Sequence, residues 1–396
     1  MAKRVVITGM GIVSAIGVGK DAHLCALMKG ESGVGKIRYL QTKHTDIPIG
    51  EVKMSDDEMK LLLGIAPESV ITRTPLMGKI ALKEAMQDSG ITDASRVAFI
   101  NGTTVGGMEK SEKYYMDFFE GKKTDYIAAH DCGAGTDMIA ETFGKFDLIT
   151  TLSTACSSAV NSIIMGGDLI RSGRVEAAIV GGAESLSKFH LNGFNTLMIL
   201  DRKVCNPFDA QRNGLNLGEG AAYIVLESEE SAKTRNANIL CELKGYGNAC
   251  DAFHQTASSP TGEGAYLAMK KALEDAGLNP EQIDYVNAHG TGTGNNDLCE
   301  SVSIQRLFGE KIPHFSSTKS FTGHATSAAG GIEAVISILA LLNDFVPGCC
   351  QFQSPIEETG LVPVKGCLKN VNLQNVMNNS FGFGGNDSSC IFSKIR

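Results

Sequence analysis

Cys156 is the residue of this chain whose surroundings most favour chemistry. It lies in the run Leu152-Ser-Thr-Ala-Cys-Ser-Ser-Ala159, between a strand-like apolar stretch and a helix-like one. At an exposed helix N-terminus, unpaired backbone N–H groups and the helix dipole favour the reactive thiolate. Small neighbours also leave room for a substrate carbonyl. The same run fits a core cysteine at a strand end, because free cysteines are commonly buried, and both interpretations stay open at this point.

Composition and charge limit the kinds of function that the chain can have. Its 396 residues are 43% hydrophobic and 20% charged, enough for a large core, and the net charge of −8 argues against nucleic-acid binding. No run of about 18 uninterrupted apolar residues predicts a membrane span, and the N-terminal segment lacks the long apolar stretch of a signal peptide. The eleven cysteines include no C-x-x-C spacing. We therefore expect reduced thiols in a cytoplasmic protein and no metal site.

An internal repeat predicts how the chain is organised. Ala81–Gly90 closely matches Ala268–Gly277, and both read as amphipathic helices closed by a glycine. After a short polar loop, each is followed by an apolar strand and a Gly-Thr pair, in Val97–Thr103 and Ile283–Thr291. The two copies are offset by almost half of the chain. This predicts a duplicated α/β architecture.

A second, weaker match supports the duplication. Cys156–Ala159 opens a helical stretch over residues 160–170, and Thr326–Gly331 opens another over residues 332–342. Strands such as Ala177–Gly181 are continuously apolar, as in sheets covered by helices on both faces. The polar segment 228–238 separates the copies. We predict an N-terminal half, 1–235, that carries the cysteine and a C-terminal half, 236–396.

Two histidines in the C-terminal half are the predicted partners of the thiol. His289 and His324 each lie in a glycine-rich segment of small residues that follows an apolar strand, the place where α/β proteins carry active groups. A lone histidine in such a segment is more often a hydrogen-bonded structural group. Together, however, a thiol and two imidazoles suit acyl-thioester chemistry: the sulfur carries the acyl group, and neutral imidazole N–H donors stabilise an enolate oxygen.

Lys319 and Glu333 flank the second histidine. Lys319 is either a surface cation or a partly buried one that tunes the histidines, and its uncharged surroundings favour the second interpretation. Glu333 either pairs with Lys319 or is an exposed helix residue.

Four motifs give the chain a resemblance to a known family. They are Thr154–Ser158, Asn287–Thr293, Ser317–His324 and Asn379–Gly385. With them, the chain is similar over essentially its whole length to the elongating β-ketoacyl-acyl-carrier-protein synthases of fatty acid synthesis and their polyketide relatives. The resemblance implies the thiolase fold, a five-layered αβαβα arrangement of two duplicated halves. It also implies an acyltransferase that needs no cofactor beyond the phosphopantetheine arm of its carrier protein.

The resemblance assigns roles to individual residues. Cys156 is implied as the acylated nucleophile, and His289 with His324 as the pair that serves decarboxylation and condensation. Lys319 and Glu333 match the family's lysine and glutamate. Other implied roles concern the substrate. Phe383 is implied as the acyl gate, and its backbone N–H with that of Cys156 as the oxyanion hole. Thr291 and Thr293 are implied as contacts of the phosphopantetheine arm.

The resemblance also implies partners. Acyl carrier proteins are acidic, so basic residues are expected at the pocket mouth; Arg73, Lys122 and Lys123 match the family's basic positions, although surface lysines are common without a partner. We expect a homodimer, with a heterodimer of related subunits as the alternative.

Two segments depart from the family pattern. Asn386 and Asp387 follow Gly385 where the family has Thr-Asn, and Ala128–Gly135 consists largely of small residues where relatives are bulkier. A specialised ketosynthase of a polyketide or polyene pathway is therefore the alternative function. A degradative thiolase would need a second reactive cysteine, for which Cys390 is the late candidate. A non-catalytic chain-length subunit is disfavoured because such subunits lack the nucleophile.

Overall fold

The computed structural model describes residues 3–395, which form one large mixed sheet covered by helices. The strands are β1 (Val5–Ser14), β2 (Gly17–Val18), β3 (Val97–Gly102), β4 (Leu148–Leu152), β5 (Ala177–Glu184), β6 (Gly220–Ser228), β7 (Cys241–Cys250), β8 (Tyr285–Asn287), β9 (His314–Ser316), β10 (Phe345–Val346), β11 (Leu368–Lys369), β12 (Asn375–Gly382) and β13 (Asn386–Ser393). The helices are α1 (Lys20–Lys29), α2 (Asp56–Leu63), α3 (Arg73–Ser89), α4 (Met108–Phe119), α5 (Thr124–Ala128), α6 (Cys132–Ala140), α7 (Ser158–Arg171), α8 (Lys188–Thr196), α9 (Glu229–Thr234), α10 (Glu263–Ala276), α11 (Gly294–Phe308), α12 (Lys319–Thr322) and α13 (Ala329–Asn343).

The sheet consists of two halves with the same strand order. The first half runs β4-β3-β5-β6-β1, and the second, read from its own edge, runs β9-β8-β12-β13-β7. They join where β1 pairs with β7, through Val6 opposite Glu242 and Ile7 opposite Cys241. The repeated helices, α3 and α10, precede the equivalent strands β3 and β8. The duplicated α/β fold predicted from the repeat is confirmed.

Helices fill the space on both sides of each half-sheet. Alternate residues of β3 point to opposite faces: Ala98 and Ile100 pack into the central core with residues of α7 and α13, whereas Val97 and Phe99 pack against α3. On the far side, α10 and α11 pack against the second half-sheet. Because α7 and α13 lie between the two half-sheets, the order is helix, sheet, helix, sheet, helix.

The repeated helices end where their glycines predict. Gly90 and Gly277 adopt the left-handed conformation, with φ of 71° and 65°, and close α3 and α10. The first helix begins earlier than the matched segment, at Arg73. Residues 73–80 are buried on all sides and show no amphipathic period, so the repeat alone does not reveal them.

The central helix α13 forms most of a buried helical stretch, Thr326–Asn343, which by length and composition alone could cross a membrane. It lies in the centre of the molecule, between the two half-sheets, which is why it is so apolar.

The fold brings the functional turns to one edge of the sheet. Cys156 lies between β4 and α7, and His324 lies between β9 and α13, the equivalent connection of the other half. His289 follows β8. Because β3, β4 and β5 are mutually parallel, as are β9, β8 and β12, these turns lie at carboxyl ends of strands, where α/β proteins place ligands.

Candidate active site

The turn that carries Cys156 is tight and strained. Ala155, directly before it, has φ of 51°, a conformation that a residue with a side chain rarely adopts. Ser158 holds the turn: its hydroxyl accepts the Thr154 N–H at 2.9 Å and donates to the Ala155 carbonyl at 2.7 Å. The thiol is thereby fixed just before the first turn of α7.

The thiol and the two imidazoles meet in one buried cluster. Cys156 Sγ lies 3.1 Å from His324 Nε2, and the Cys156 sulfur and a ring nitrogen of each histidine all lie within 4.8 Å of one another. The rings of His289 and His324 are nearly perpendicular, at 84°, with centroids 5.3 Å apart. The three residues that the sequence singled out are therefore within reach of one substrate carbonyl.

Burial, not the helix terminus, dominates the electrostatics of the thiol. Cys156 is only 6% exposed, and desolvation raises its pKa to about 11, against the lowering effects of the Phe383 backbone N–H and the Lys319 charge. The expectation of an exposed thiol at a helix N-terminus is therefore wrong. Desolvation, aided by the Lys319 charge, also holds the pKa of His289 and His324 well below the usual range. The resting site contains a neutral thiol and two neutral imidazoles.

Lys319 is buried and directs the tautomer of His289. Its ammonium group donates to Glu333 Oε1 and to the His289 carbonyl, and it lies 3.4 Å from His289 Nδ1. Since an ammonium group only donates, Nδ1 is the accepting nitrogen and the ring proton is on Nε2. Burial raises the pKa of Glu333 to about 7, against the attraction of Lys319. Lys319 and Glu333, each 1% exposed, thus form an internal ion pair. This arrangement matches the interpretations in which Lys319 is a buried cation near the histidines and Glu333 is its partner.

The sulfur and two imidazoles also have the donor types of a zinc site. Lys319 places a positive charge against His289, however, and the 3.1 Å separation of sulfur from Nε2 is a hydrogen-bond distance. This arrangement suits proton transfer between the two side chains.

Phe383 forms one wall of the site. It lies in the Phe383 turn, residues 382–385, which runs from the last residue of β12 to the start of β13 and in which Gly384 and Gly385 have φ of 86° and 78°. Its backbone N–H lowers the pKa of the Cys156 thiol, against the larger effect of burial. Its ring stacks on Phe194 with centroids 5.8 Å apart and planes 16° from parallel. No motif in the sequence pointed to Phe194, because its role depends on α8 packing beside a turn almost two hundred residues away.

A pocket of about 120 Å³ leads from Cys156 toward the surface. Its lining combines apolar side chains, Phe194, Ile199 and Leu215, with hydroxyl and amide groups, including Thr291 and Thr293. The two threonine hydroxyls lie 2.9 Å apart. A small pocket with both kinds of lining fits a thin arm that has amide groups along its length. The polar residues that the sequence did not single out are Thr256, Ser258, Asn295 and Asn296.

Arg73 is misplaced as a docking residue. It is 7% exposed, and its guanidinium binds Glu219, at 2.7 Å from Nη2, and Asp56, at 2.9 Å from Nη1. A guanidinium paired with two carboxylates inside the protein offers no charge to a partner, so that prediction is wrong. Lys122 and Lys123 are both exposed, and Lys122 pairs with Glu120 at 2.8 Å. Both remain predictions.

We expect Arg73→Met to lower the free energy of unfolding by about 3–5 kcal/mol, because Glu219 would be left buried without its partner. Urea unfolding measures the change. Lys122→Met, at an exposed pair, should change stability by less than about 0.5 kcal/mol. If Arg73→Met instead kept full stability and weakened only carrier-protein binding, the structural role of the Arg73–Glu219 pair would be contradicted.

The residues that depart from the family motif lie beneath the Phe383 turn. Asn386 Oδ1 accepts hydrogen bonds from Ser157 Oγ and Asn161 Nδ2, both at 2.7 Å, so it braces the cysteine turn. Asp387 is buried in a small cavity behind the turn. The other departing segment, Ala128–Gly135, spans the junction of α5 and α6 and does not line the Cys156 pocket.

Cys390 does not provide the second thiol that a degradative thiolase would need. It is fully buried in β13, inside the central core, and desolvation raises its pKa far above that of a reactive thiol.

Comparison with known proteins agrees with this geometry. The family model for the "Beta-ketoacyl synthase, N-terminal domain" matches residues 2–232, and that for the "Beta-ketoacyl synthase, C-terminal domain" matches residues 240–353. The chain belongs to the β-ketoacyl synthase family.

Particular relatives cover the whole chain. The chain is 35% identical to the 3-oxoacyl-[acyl-carrier-protein] synthase 2 of Coxiella burnetii and 34% identical to that of Vibrio cholerae, in each case over 99% of both proteins. Among solved structures, it is similar to the ishigamide ketosynthase/chain length factor, with a TM-score of 0.93 and 31% identity over 100% of both chains. A β-ketoacyl synthase from Burkholderia phymatum gives 0.88 and 30%, again over 100% of both.

Proposed function

We propose that this protein is an acyltransferase that condenses an acyl chain held on Cys156 with a malonyl group on acyl carrier protein. The product is a 3-oxoacyl chain two carbons longer, as in fatty acid biosynthesis. One observation carries the proposal above all: a thiol, two neutral imidazoles and the Phe383 backbone N–H converge on the inner end of a narrow pocket.

In the first stage, the acyl group moves from the carrier arm to the sulfur. As Cys156 Sγ attacks the thioester carbon, His324 Nε2, 3.1 Å away, accepts the thiol proton. The oxyanion is stabilised by the backbone N–H groups of Cys156 and Phe383. The imidazolium then returns the proton to the departing thiolate of the arm. Both histidines are neutral again when the malonyl group arrives.

In the second stage, the malonyl group loses carbon dioxide. Negative charge develops on its thioester oxygen, which accepts a hydrogen bond from His289 Nε2–H, the proton that Lys319 keeps on that nitrogen. The enolate carbon attacks the acyl carbon on Cys156, and the carbon–sulfur bond breaks. The sulfur leaves as a thiolate and takes up one proton from water, which restores the thiol. Release of carbon dioxide drives the sequence, so neither a metal nor a redox cofactor is required.

The direct test is a single-turnover chase. Wild-type protein incubated with octanoyl carrier protein should gain one octanoyl mass, mapped by digestion to the peptide that carries Cys156. Adding malonyl carrier protein should then discharge that mass, releasing one carbon dioxide and one 3-oxodecanoyl product. An adduct on another residue would overturn the nucleophile, and a stable adduct that malonyl carrier protein never discharges would overturn the condensing role.

We also propose the partners and setting of the enzyme. The exposed charges of Lys122 and Lys123 support docking of an acidic carrier protein, and Lys123 lies over the ring of Tyr126 at 6.0 Å. A second chain of the same fold fits the exposed edge strand β4, where Ile149 is 39% exposed. The exposed Met116 and Phe119 of α4 offer further apolar surface. That chain is a second copy or, as in the ishigamide complex, a related subunit. With its free cysteines, the enzyme is proposed to work in the cytoplasm.

The alternative is a ketosynthase of a polyketide or polyene pathway. Asn386 and Asp387 beside the acyl gate favour it, as does the similarity to the ishigamide ketosynthase. A panel of saturated and polyunsaturated acyl carrier proteins separates the two, since the preferred pathway's chain should acylate Cys156 fastest.

A further inference from the structure

Three carboxyl groups meet behind the Phe383 turn. Asp387, Glu300 and Asp251 line one cavity of about 10 Å³, together with uncharged residues and the thiol of Cys299. A space of this size holds at most one water molecule, so it cannot solvate several charges. None of the residues that line the cavity is basic.

Two of these carboxylates are tied to different parts of the active site. Glu300 accepts the backbone N–H of His289 at 2.9 Å and that of Gly290 at 2.7 Å, and so holds the His289 loop, residues 288–293. Asp251 caps the start of α10 by accepting the N–H of Gly264 at 3.1 Å. Its own backbone N–H donates to the carbonyl of Gly385, in the Phe383 turn, at 2.8 Å.

Asp387 lies between them without a partner. The residue is 4% exposed, and its carboxyl group makes no hydrogen bond with any residue of the described range 3–395. Its carboxyl group fits only because residue 264 is glycine: a Cβ there would come within 2.2 Å of Asp387 Oδ2. In the sheet, Asp387 pairs with Phe381, two residues before Phe383.

The charges around Asp387 disfavour its ionisation. Burial and the carboxylates of Asp251 and Glu300 raise its pKa to about 8. Glu300 has its own pKa raised by burial to about 7, and burial also raises the pKa of the Cys299 thiol that faces the cavity and of Asp297 on the same helix. At neutral pH the Asp387 carboxyl group is therefore protonated, and it becomes an uncompensated charge only in more alkaline solution.

We propose that Asp387 is a positioning residue whose neutral carboxyl group keeps the Phe383 turn in register with the His289 loop, and whose ionisation releases the turn. The proposal rests on the proposed function, because it assigns the Phe383 N–H to the oxyanion of acylation. Repulsion from Asp251 and Glu300 pushes an ionised Asp387, and with it the end of β12, away from Cys156. Acylation then loses an oxyanion donor, and the thiol loses the smaller effect by which the Phe383 N–H lowers its pKa.

The predicted pH profile differs from the profile that the thiol and His324 alone would give. Because His324 takes the thiol proton during the attack, acylation proceeds from the neutral thiol, and its rate should be nearly constant with pH below the thiol pKa of about 11. With S-octanoyl pantetheine as acyl donor, the wild-type acylation rate should fall about tenfold between pH 8 and pH 9.5, because the Asp387 pKa is about 8. Asp387→Asn, which cannot ionise, should not show this fall over the same interval.

Two controls isolate the oxyanion donor. Alkylation of Cys156 by iodoacetamide, mapped by digestion, forms no oxyanion and senses the Phe383 N–H only through the thiolate. Its rise with pH should therefore differ between wild type and Asp387→Asn by less than about threefold, well below the difference in acylation. Glu281→Gln, which removes an exposed carboxylate that does not line the cavity, should retain the wild-type acylation profile. If Asp387→Asn does not fold, Asp387→Ala, which also removes the titrating group, takes its place in the same measurements.

Each outcome decides a different point. Parallel acylation profiles of wild type and Asp387→Asn overturn the positioning role and leave the proposed function intact. No acylation of wild type at any pH overturns the proposed function itself, and with it this inference. A thermal measurement adds a check: the melting temperature of Asp387→Asn should exceed that of wild type by an amount that grows from pH 5 to pH 8. In this range the Asp387 carboxyl group is ionised in the unfolded chain but not in the folded protein. Above pH 8 the difference in melting temperature should stay constant.

Discussion

Cys156→Ala should carry no acyl group and should lose elongation by at least about 10⁴-fold, yet retain decarboxylation of malonyl pantetheine to within about tenfold. The sulfur is the atom that attacks and then holds the acyl chain, so its loss stops acylation. The decarboxylation groups survive, because His289, His324 and Lys319 are untouched and alanine keeps the backbone N–H of residue 156. Intact mass measures acylation, and carbon dioxide release measures decarboxylation.

Cys390→Ala is the matched control for that variant. Cys390, like Cys156, is buried, but it lies in the central core and does not line the pocket. This variant should be acylated like wild type. An octanoyl adduct on Cys156→Ala, or the loss of decarboxylation together with acylation, would contradict the separation of roles between the sulfur and the histidines.

Lys319→Met should produce the second large effect, a loss of about 3–5 kcal/mol in the free energy of unfolding and of about 10²-fold in decarboxylation at pH 7. The stability falls because Glu333, 1% exposed, loses the charge that it faces. The activity falls because nothing holds the proton of His289 on Nε2. Since Lys319 lowers the pKa of both histidines, its removal raises them, and the acid limb of the pH–rate profile should move to higher pH.

A double variant separates the two consequences. Lys319→Met/Glu333→Leu replaces both buried charges with apolar groups and should recover most of the lost stability, whereas the decarboxylation rate and the shifted pH limb should not recover. Lys60→Met controls for loss of a buried lysine, since Lys60 donates only to the carbonyls of Pro67 and Ser69, far from the site. An unshifted acid limb in Lys319→Met would contradict the electrostatic role.

The sequence predicts those features that depend on neighbours along the chain. Gly90 and Gly277 mark helix ends because a left-handed terminal residue favours glycine, and His289 and His324 stand out because each follows a strand within a glycine-rich segment. Features that depend on contacts between residues far apart along the chain cannot be predicted from the local sequence. Arg73 looks like a surface cation until Glu219 is seen beside it, and the raised pKa of Cys156 follows from packing that no local pattern records.

Asp387 illustrates the same limit. As a letter in the sequence it is one acidic residue that replaces an asparagine of the family motif. Its meaning comes from Glu300 and Asp251, which lie on other elements of the second half, and from a glycine in α10 that leaves space for it. Sequence reasoning finds the departure, whereas the fold shows which groups it faces.

The duplicated topology determines how the reacting groups are distributed between the two copies. The sulfur and the imidazole that touches it sit in the same connection of the two copies, between β4 and α7 and between β9 and α13. Neither copy holds a complete reaction centre, and the bond-making groups exist only where the copies face each other. The equivalent turns of the two copies have different roles: the turn of the first copy carries the acyl group, and the turn of the second copy carries the acid–base partner. Each half therefore constrains what the other can change, although they share little of their sequence.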